Sequence, residues 1–385
     1  MQSAHPRIPA KSIGFPVRLA AFVQKNTVLC IAAILAIASA VLVPPDKAYL
    51  GYFDTRTLTC LFCTLAMVCA LRHIRFFTCI ACGIISVTKN LRRSVLALVY
   101  ITFIGSMLIA NDMALLTFLP LGYIVLSETG EERHMAYVFI LQNIAANLGG
   151  MLTPFGNPQN LYLYSYFAIP TPDFLRVMFP PFLLSVAMIT VCCLCFPADR
   201  LTVRTEKIVL PRRRTIVYLA LFAFSIAIVF RAIPYWLGLV VIPVSLLLLD
   251  RRALSDVDYP LLCTFVCFFV FSGNLARIPA VQSLLGGLLS HSPLVVSALS
   301  CQCISNVPSA ILLSHFTDNW RELLLGVNIG GAGTIIASLA SLITFREFSR
   351  HNPGKAGAYL AKFSLVNFSF LAVLLLFCYV QTRMW

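Results

Sequence analysis

Charged residues are scarce in this chain of 385 residues. Asp, Glu, Lys and Arg make up 11% of it, whereas soluble globular domains carry about 25%. Hydrophobic residues make up 59%, and the mean hydropathy is +0.87. So few charges exclude a soluble globular protein. Runs of roughly 17–25 apolar residues, the length of a transmembrane helix, recur along the chain. We therefore predict an all-α polytopic membrane protein embedded in the lipid bilayer.

The sequence also lacks the residue patterns of a membrane enzyme. It contains no G-x-S-x-G motif and no pair of histidines at metal-ligand spacing. Two C-x-x-C pairs, Cys60/Cys63 and Cys79/Cys82, lie in apolar runs with no His or carboxylate at ligand spacing. Cysteine in such runs packs as a small hydrophobic residue. We predict no catalytic residues, no metal site and no cofactor apart from Na⁺ or H⁺ as coupling ion.

Acidic residues are about half as frequent as basic ones, 15 against 29, which gives a net charge of +14. Most of the basic residues fall in segments that are cytoplasmic if the N-terminus is inside, as the positive-inside rule requires. This excess therefore predicts membrane orientation, and no nucleic-acid partner is expected. The first apolar run, 27–43, has no A-x-A-like cleavage site after it, which favours a retained span over a signal peptide. We expect a bacterial-type plasma membrane.

Hydropathy predicts about nine spans, two re-entrant hairpins and two broken helices. The hairpins are the apolar segments 94–127 and 293–316, each with a polar tip near its middle. Non-helical backbone at such depth is tolerated only where protein or water surrounds it. The predicted spans lie near 27–43, 57–72, 135–167, 177–197, 215–231, 235–249, 259–272, 322–346 and 363–382.

The two halves of the chain resemble each other. The hairpin sequence "IANDMALLTFLP" (109–120) parallels "CISNVPSAILLS" (303–314), and "ANLGGMLTPFGNP" (146–158) parallels "VNIGGAGTIIASL" (327–339). A lone span at 215–231 between the copies would invert the second copy, and inverted repeats with broken helices are typical of secondary transporters. The predicted division is an N-terminal cytoplasmic segment 1–26, a first repeat 27–197 with a cytoplasm-opening hairpin, a basic loop and connector span 198–231, and a second repeat 232–385 with an outward-opening hairpin.

A helix broken inside the membrane has unpaired carbonyls at one end, which attract cations, and unpaired N–H groups at the other, which attract anions. The predicted cation-binding residues are Asn111, Asp112, Gly149, Ser305, Asn306 and Gly330. The predicted substrate-binding residues are Asn147, Thr153, Asn157, Asn160, Asn328 and Thr334. An alternative remains that the glycines serve tight helix packing.

Asp112 is the only carboxylate that the predicted topology places at membrane depth. A charge there costs roughly 2.5–3.5 kcal/mol on insertion scales, so a functional role is the first hypothesis. Asp112 would hold a cation or carry a proton. The alternative is a neutral Asp that caps one arm of the hairpin.

From about Phe53 to Phe348 the hairpin and Gly-Gly motifs resemble the ion transporter superfamily, which includes divalent-anion/sodium symporters, citrate-transporter-like permeases, arsenite permeases and certain Na⁺/H⁺ antiporters. The resemblance implies that Ser-Asn-Thr hairpin tips contact anion and Na⁺ at a central site. Here one tip reads Ser305-Asn306-Val307, and the other, Ala110-Asn111-Asp112, has Asp in place of Thr. The resemblance also implies a homodimer with elevator-type alternating access.

The leading hypothesis is a secondary active transporter of a small anion, either a carboxylate or an inorganic oxyanion, coupled to Na⁺ or H⁺. A Na⁺/H⁺ antiporter that uses Asp112 and a passive ion channel are the alternatives. The expected partners are the small anion, the coupling ion, the lipid bilayer and a second copy of the chain.

The orientation is testable by cysteine labelling of a variant that lacks the 14 native cysteines. A cysteine introduced at Lys207 should react with a membrane-impermeant maleimide only after the cells are permeabilised, because the basic loop is predicted to be cytoplasmic. A cysteine at Leu50, in a predicted external loop, should react in intact cells. Labelling of the Lys207 position in intact cells would overturn the orientation.

Overall fold

The computed structural model describes residues 22–24, 26–201 and 207–384, and this part of the chain is helical with no β-strand. Most of the predicted N-terminal segment 1–26, and part of the predicted basic loop, lie outside the described residues. Helices dominate because lipid offers no partner to backbone N–H and C=O groups. The helices are α1 (Thr27–Leu42), α2 (Thr55–His73), α3 (Phe76–Ser86), α4 (Leu91–Ile109), α5 (Asn111–Glu128), α6 (Met135–Gly149), α7 (Pro158–Tyr166), α8 (Thr171–Leu194), α9 (Arg212–Val229), α10 (Tyr235–Leu249), α11 (Arg251–Ser255), α12 (Tyr259–Leu275), α13 (Pro279–His291), α14 (Pro293–Ile304), α15 (Asn306–Leu313), α16 (Trp320–Ile329), α17 (Leu339–His351) and α18 (Ala356–Arg383).

Among the described residues, six helical segments are long and apolar enough to cross a membrane. A seventh is added if α13 and α14, which are bent by 120° relative to each other, count as one span. The helices α1, α3 and α10 are apolar but shorter. These findings confirm an all-helical chain with several candidate spans, while the count of nine spans stays a prediction.

Each predicted hairpin consists of two helices separated by one residue. Ala110 separates α4 from α5, and Ser305 separates α14 from α15. The two arms contact each other in both cases. Entry of the hairpins into the membrane from one side stays a prediction.

Both spans predicted to be broken are interrupted. The first consists of α6 and α7 with the segment 150–157 between them, which includes a short 3₁₀ turn at Gly150–Leu152. The second consists of α16 and α17 with the segment 330–338 between them. Pro158 at the first position of α7 favours the restart of the helix there, because its missing N–H is not needed at a helix N-terminus.

The helices form two groups of contacts. Helix α1 packs along α12, and α2 packs against α9 and α10. In the second group α4 packs on α6 and α14 on α16, so each hairpin lies against the broken helix of its own half. The halves also cross, because α17 contacts α5 and α7 contacts α15. The polar sequence motifs of both halves are thereby brought to one region.

A bidentate ion pair ties the loop after α1 to the end of α12. Arg277 Nη2 lies 2.7 Å from Asp46 Oδ2 and Arg277 Nη1 lies 3.1 Å from Asp46 Oδ1. Arg277 also donates to the Tyr52 hydroxyl at 3.1 Å. The hydrogen bond from Arg277 lowers the pKa of the Asp46 carboxyl below its usual value.

We expect Asp46→Asn to lower the thermal midpoint of the purified protein slightly at pH 7. Because the folded-state pKa is depressed, the ion pair stabilises the fold above the unfolded pKa of about 3.9, and its contribution is lost as pH falls through the folded value. The difference between variant and wild type should therefore disappear at strongly acidic pH, as followed by tryptophan fluorescence.

The exposed Asp318 provides a control, and Asp318→Asn should leave the midpoint unchanged at both pH values. Arg277→Gln should lower the midpoint less in the Asp46→Asn background than in the wild type, because the ion pair is already lost there. An equal effect in both backgrounds would exclude the ion pair as the cause of the lower midpoint.

Candidate functional site

The two hairpin tips share an unusual backbone conformation. Ala110 has φ 64° and ψ 151°, and Ser305 has φ 76° and ψ 159°. This region of conformational space is normally restricted to glycine, and a non-glycine residue there is strained. Such strain tends to cluster at functional sites. The helices α5 and α15 begin directly after these residues, at Asn111 and Asn306.

The Asn at each tip accepts a hydrogen bond from the N–H of the following residue. Asn111 Oδ1 accepts a hydrogen bond from the Asp112 N–H at 3.0 Å, and Asn306 Oδ1 accepts one from the Val307 N–H at 2.9 Å. The Asn306 N–H donates to the Ala337 carbonyl at 3.0 Å, which attaches the second tip to the second break. Both amides are thus oriented by local contacts.

A threonine attaches each break to its hairpin. Thr153 Oγ1 donates to the Met107 carbonyl at 2.7 Å, and Thr334 Oγ1 donates to the Gln302 carbonyl at 3.0 Å. Met107 and Gln302 each lie three residues before their tip. The same bond therefore forms at matching positions in both halves of the chain.

The carbonyls that the first break exposes are bonded by one amide. Asn160 Nδ2 lies 3.2 Å from the carbonyl oxygens of Gly150, Met151 and Thr153. Asn160 is fully buried and comes from the first turn of α7. The sequence predicted that these carbonyls are open to an ion, whereas in the structure they accept hydrogen bonds from the Asn160 amide.

Gln302 does the same for the second break. Its Nε2 donates to the Gly330 carbonyl at 2.8 Å and its Oε1 accepts from the Thr334 N–H at 2.8 Å. The sequence interpretation missed Gln302. The signal that identifies it is a polar residue in an otherwise apolar arm, three residues before the tip.

Asn147, in the last turn of α6, is the first centre of a buried amide network. Its Oδ1 accepts from Asn111 Nδ2 at 3.0 Å and from Ser338 Oγ at 2.8 Å. Ser338 precedes α17, the second part of the other broken helix. One side chain therefore links the first hairpin tip, the first break and the second break.

Asn328 occupies the corresponding place in α16. Its Oδ1 accepts from Asn157 Nδ2 at 3.3 Å, and its Nδ2 donates to Asn160 Oδ1 at 2.6 Å. Asn157 precedes α7 just as Ser338 precedes α17. Each broken helix thus receives a hydrogen bond from the residue that starts the second part of the other one.

The predicted glycines lie in packing contacts between a broken helix and a hairpin. A Cβ on Gly330 would stand 2.9 Å from Cys301 Sγ and 3.0 Å from Ala298 Cα, and one on Gly149 would stand 2.6 Å from Ser106 Oγ. Any larger residue would force the broken helix away from the hairpin. Neither glycine lines the cavity described next.

A cavity of about 390 Å³ lies between α1 and α12 on one side and the hairpin tips and breaks on the other. Of the predicted site residues, four line it: Asn111, Asp112, Ser305 and Asn306. The first residues of α5, α7, α15 and α17 also contribute to its wall, so four helix N-termini meet there. Asp112 Oδ1 is buried without a hydrogen-bond partner in the described part of the chain.

The cavity wall, which consists of described residues throughout, contains no Lys, Arg or His. Helix N-termini contribute positive potential to it, and the only formal charge on its wall is that of Asp112. Within the described ranges there is also no group of three or more His, Cys, Asp or Glu residues that could hold a metal ion.

Apolar spans, paired hairpins and broken helices around one cavity are the architecture of a membrane transporter. The chain belongs to the citrate transporter family, since the model of that family, described as "Citrate transporter", matches residues 19–319. The match includes both hairpins and the first break and ends just before α16.

Two curated proteins are similar to this chain over most of their length. "Uncharacterized transporter MJ0456" of Methanocaldococcus jannaschii is 31% identical over 297 residues, which cover 76% of this chain and 81% of that protein. "Inner membrane protein YbiR" of Escherichia coli is 33% identical over 266 residues, which cover 66% of this chain and 69% of that protein.

Gln302→Leu tests whether this amide holds the second break. The substitution keeps the volume but leaves the buried Gly330 carbonyl unpaired, so we expect the free energy of unfolding to fall by about 2 kcal/mol. The thermal midpoint of purified protein should fall accordingly. Gln282→Leu, at an exposed glutamine on α13, is the matched control and should have no effect. Equal midpoints for the two variants would contradict this role of Gln302.

Proposed function

We propose that this protein is a secondary active transporter that moves a small anion, a carboxylate or an inorganic oxyanion, coupled to Na⁺ or H⁺. The observation that carries the proposal is the convergence of two Asn-tipped hairpins and two broken helices on one cavity. The family to which the chain belongs supports a carboxylate as cargo.

Reciprocal contacts support an inverted repeat. The bonds from Thr153 and Thr334 to their hairpins correspond to each other, as do the bonds from Asn157 to Asn328 and from Ser338 to Asn147. Two copies of one unit, related by a pseudo-two-fold axis, account for this pairing. In transporters with such repeats the substrate site lies at the repeat interface.

Helix N-termini support an anionic cargo. Each contributes roughly half a positive charge, which offsets the charge of Asp112 and of the C-terminus of α14, whose last residues Cys303 and Ile304 also line the cavity. In the proposed site Asn111, Asp112, Ser305 and Asn306 contact cargo or coupling ion directly. The amides of Asn147, Asn157, Asn160 and Asn328, with Gly149, Thr153, Gly330 and Thr334, hold the hairpins and breaks in place behind them.

The mechanism we propose is elevator-type alternating access in a homodimer. Hairpins and broken helices contact each other extensively, and α1 and α12 lie on the other side of the cavity, where α12 also packs against α15. An apolar boundary of this kind allows one group to slide against the other.

A plasma-membrane location agrees with the name of the relative from Escherichia coli, an inner membrane protein.

A second candidate function is Na⁺/H⁺ antiport by Asp112. It is favoured by the formal charge of the cavity, since the carboxylate of Asp112 has a buried oxygen without a partner in the described residues and faces no basic side chain. A cation or a proton would satisfy that oxygen directly.

Asp112→Asn separates the two candidates in proteoliposomes. If Asp112 is the exchanging group, exchange of Na⁺ for H⁺ should vanish, because an amide does not release a proton. If the protein is an anion symporter, accumulation of citrate driven by a Na⁺ or H⁺ gradient should persist with a changed pH dependence. A fluorescent pH indicator and radiolabelled citrate measure the two activities.

Glu128→Gln is the matched control, since Glu128 is the exposed last residue of the same helix, α5. It should leave both activities unchanged. Absence of accumulation of any carboxylate or oxyanion under imposed Na⁺ or H⁺ gradients would contradict the transporter proposal and favour a passive channel.

A further inference from the structure

Gln159 is a cavity-lining residue whose amide has no hydrogen-bond partner. It is the second residue of α7 and is only 1% exposed, yet both its Oε1 and its Nε2 are unpaired among the described residues. A buried polar group without a partner is rare in native proteins, because burial costs it its bonds with water. Such an amide is explained if a ligand supplies the missing partners.

The neighbours of Gln159 on the chain are used differently. Asn157 donates to Asn328 and to the Asn147 carbonyl, and Asn160 donates to the first break. Neither Asn157 nor Asn160 lines the cavity, whereas Gln159 does. The start of α7 therefore carries two amides whose N–H groups donate to protein and one, on the cavity-lining Gln159, without any partner among the described residues.

Asp112 contributes a second unpaired polar atom to the same wall. Its Oδ1 is buried and has no partner in the described part of the chain. An ionised carboxylate only accepts hydrogen bonds, whereas an amide both donates and accepts. A coupling cation or a proton at Asp112 still leaves Gln159 Oε1 without a donor and Gln159 Nε2 without an acceptor, so bound cargo must offer both.

A fully deprotonated carboxylate meets only half of this requirement. It offers acceptors alone, and no Lys, Arg or His of the wall compensates its repulsion by Asp112. An O–H group supplies the missing donor, whether it belongs to an alcohol or to a carboxyl that keeps its proton.

We propose that Gln159, together with Asp112, is a specificity-determining residue that selects cargo carrying an un-ionised O–H group. This inference rests on the proposed function. It adds the residue Gln159 to the proposed site and names a chemical property of the cargo. The hydroxyl donates to Asp112 Oδ1 or Gln159 Oε1, and an oxygen of the cargo accepts from Gln159 Nε2.

The test compares acids that differ by a single hydroxyl. Citrate and tricarballylate form one pair, and malate and succinate form the other. Titration calorimetry on the purified full-length protein measures the dissociation constants over a range of pH. We expect the hydroxyl-bearing acid of at least one pair to bind about tenfold or more tightly, since a site built around a hydroxyl discriminates against its loss.

Gln159→Met keeps the length of the side chain and removes its amide. The preference for the hydroxyl-bearing acid should fall to about onefold in this variant. Its thermal midpoint should equal or exceed that of the wild type, because no protein hydrogen bond is lost. Gln381→Met is the matched control: this buried glutamine donates to the Val177 carbonyl far from the cavity wall, so its loss should lower the midpoint and keep the preference.

The pH series distinguishes the two sources of the O–H group. If a protonated carboxyl supplies the O–H group, succinate and tricarballylate should bind more tightly as pH falls toward their own last pKa. Gln159→Met should abolish that gain in affinity. If only an alcohol serves, the hydroxyl preference should persist at every pH. Either pattern supports the inference.

The inference is overturned if wild type binds the acids without preference and without gain at low pH, or if Gln159→Met keeps the wild-type preference. In those cases binding itself still supports the proposed function. A wild-type protein that neither binds nor accumulates any of these acids contradicts the proposed function, and the inference falls with it.

Discussion

The fold depends on one requirement, that every backbone group exposed by a broken helix finds a partner inside the protein. Lipid supplies none, and each unpaired group at such depth costs several kcal/mol. At the first break Asn160 Nδ2 donates toward the carbonyls of Gly150, Met151 and Thr153, the last of which also accepts from the Gly156 N–H, and at the second break Gln302 donates to the Gly330 carbonyl. Because these amides belong to different elements, satisfying the backbone also joins α7 to its break and a hairpin to its broken helix.

Side-chain amides at this site therefore divide into two kinds. Those of Asn147, Asn157 and Asn328 are bonded mainly to one another and to backbone, so they hold the geometry. The amide of Gln159 and one oxygen of Asp112 have no partner in the described chain, and these two residues, unlike Asn157 with its unpaired Oδ1, line the cavity. Groups that are already satisfied gain little from a ligand, whereas an unpaired buried group gains the full hydrogen bond. The second kind is thus the natural place for recognition.

Charge in the cavity is balanced without basic side chains. Four helix N-termini supply a diffuse positive potential. The free energy of burying this potential is small, because it comes from partial charges of the backbone. Asp112 supplies a localised negative charge. Under the proposed function, this combination would suit a cargo that brings both an acceptor and a proton, and Asp112 would link the choice of coupling ion to the choice of cargo.

Much of this arrangement is predictable from the sequence, because it depends on local chemistry. Scarce charge indicated the lipid environment. The glycines beside Asn147 and Asn328 indicated the breaks, because each glycine destabilises a helix by roughly 0.5–1 kcal/mol, and Pro154 and Pro158 remove backbone donors after the first. The polar tips at Asn111 and Asn306 followed from their apolar flanks. Only the tertiary structure decided that Gly149 and Gly330 lie in packing contacts, that Gln302 serves a break 28 residues away, and that Gln159 remains unpaired. Whether a buried amide is bonded or free depends on neighbours brought together by long-range packing, and a sequence pattern records only the neighbours along the chain.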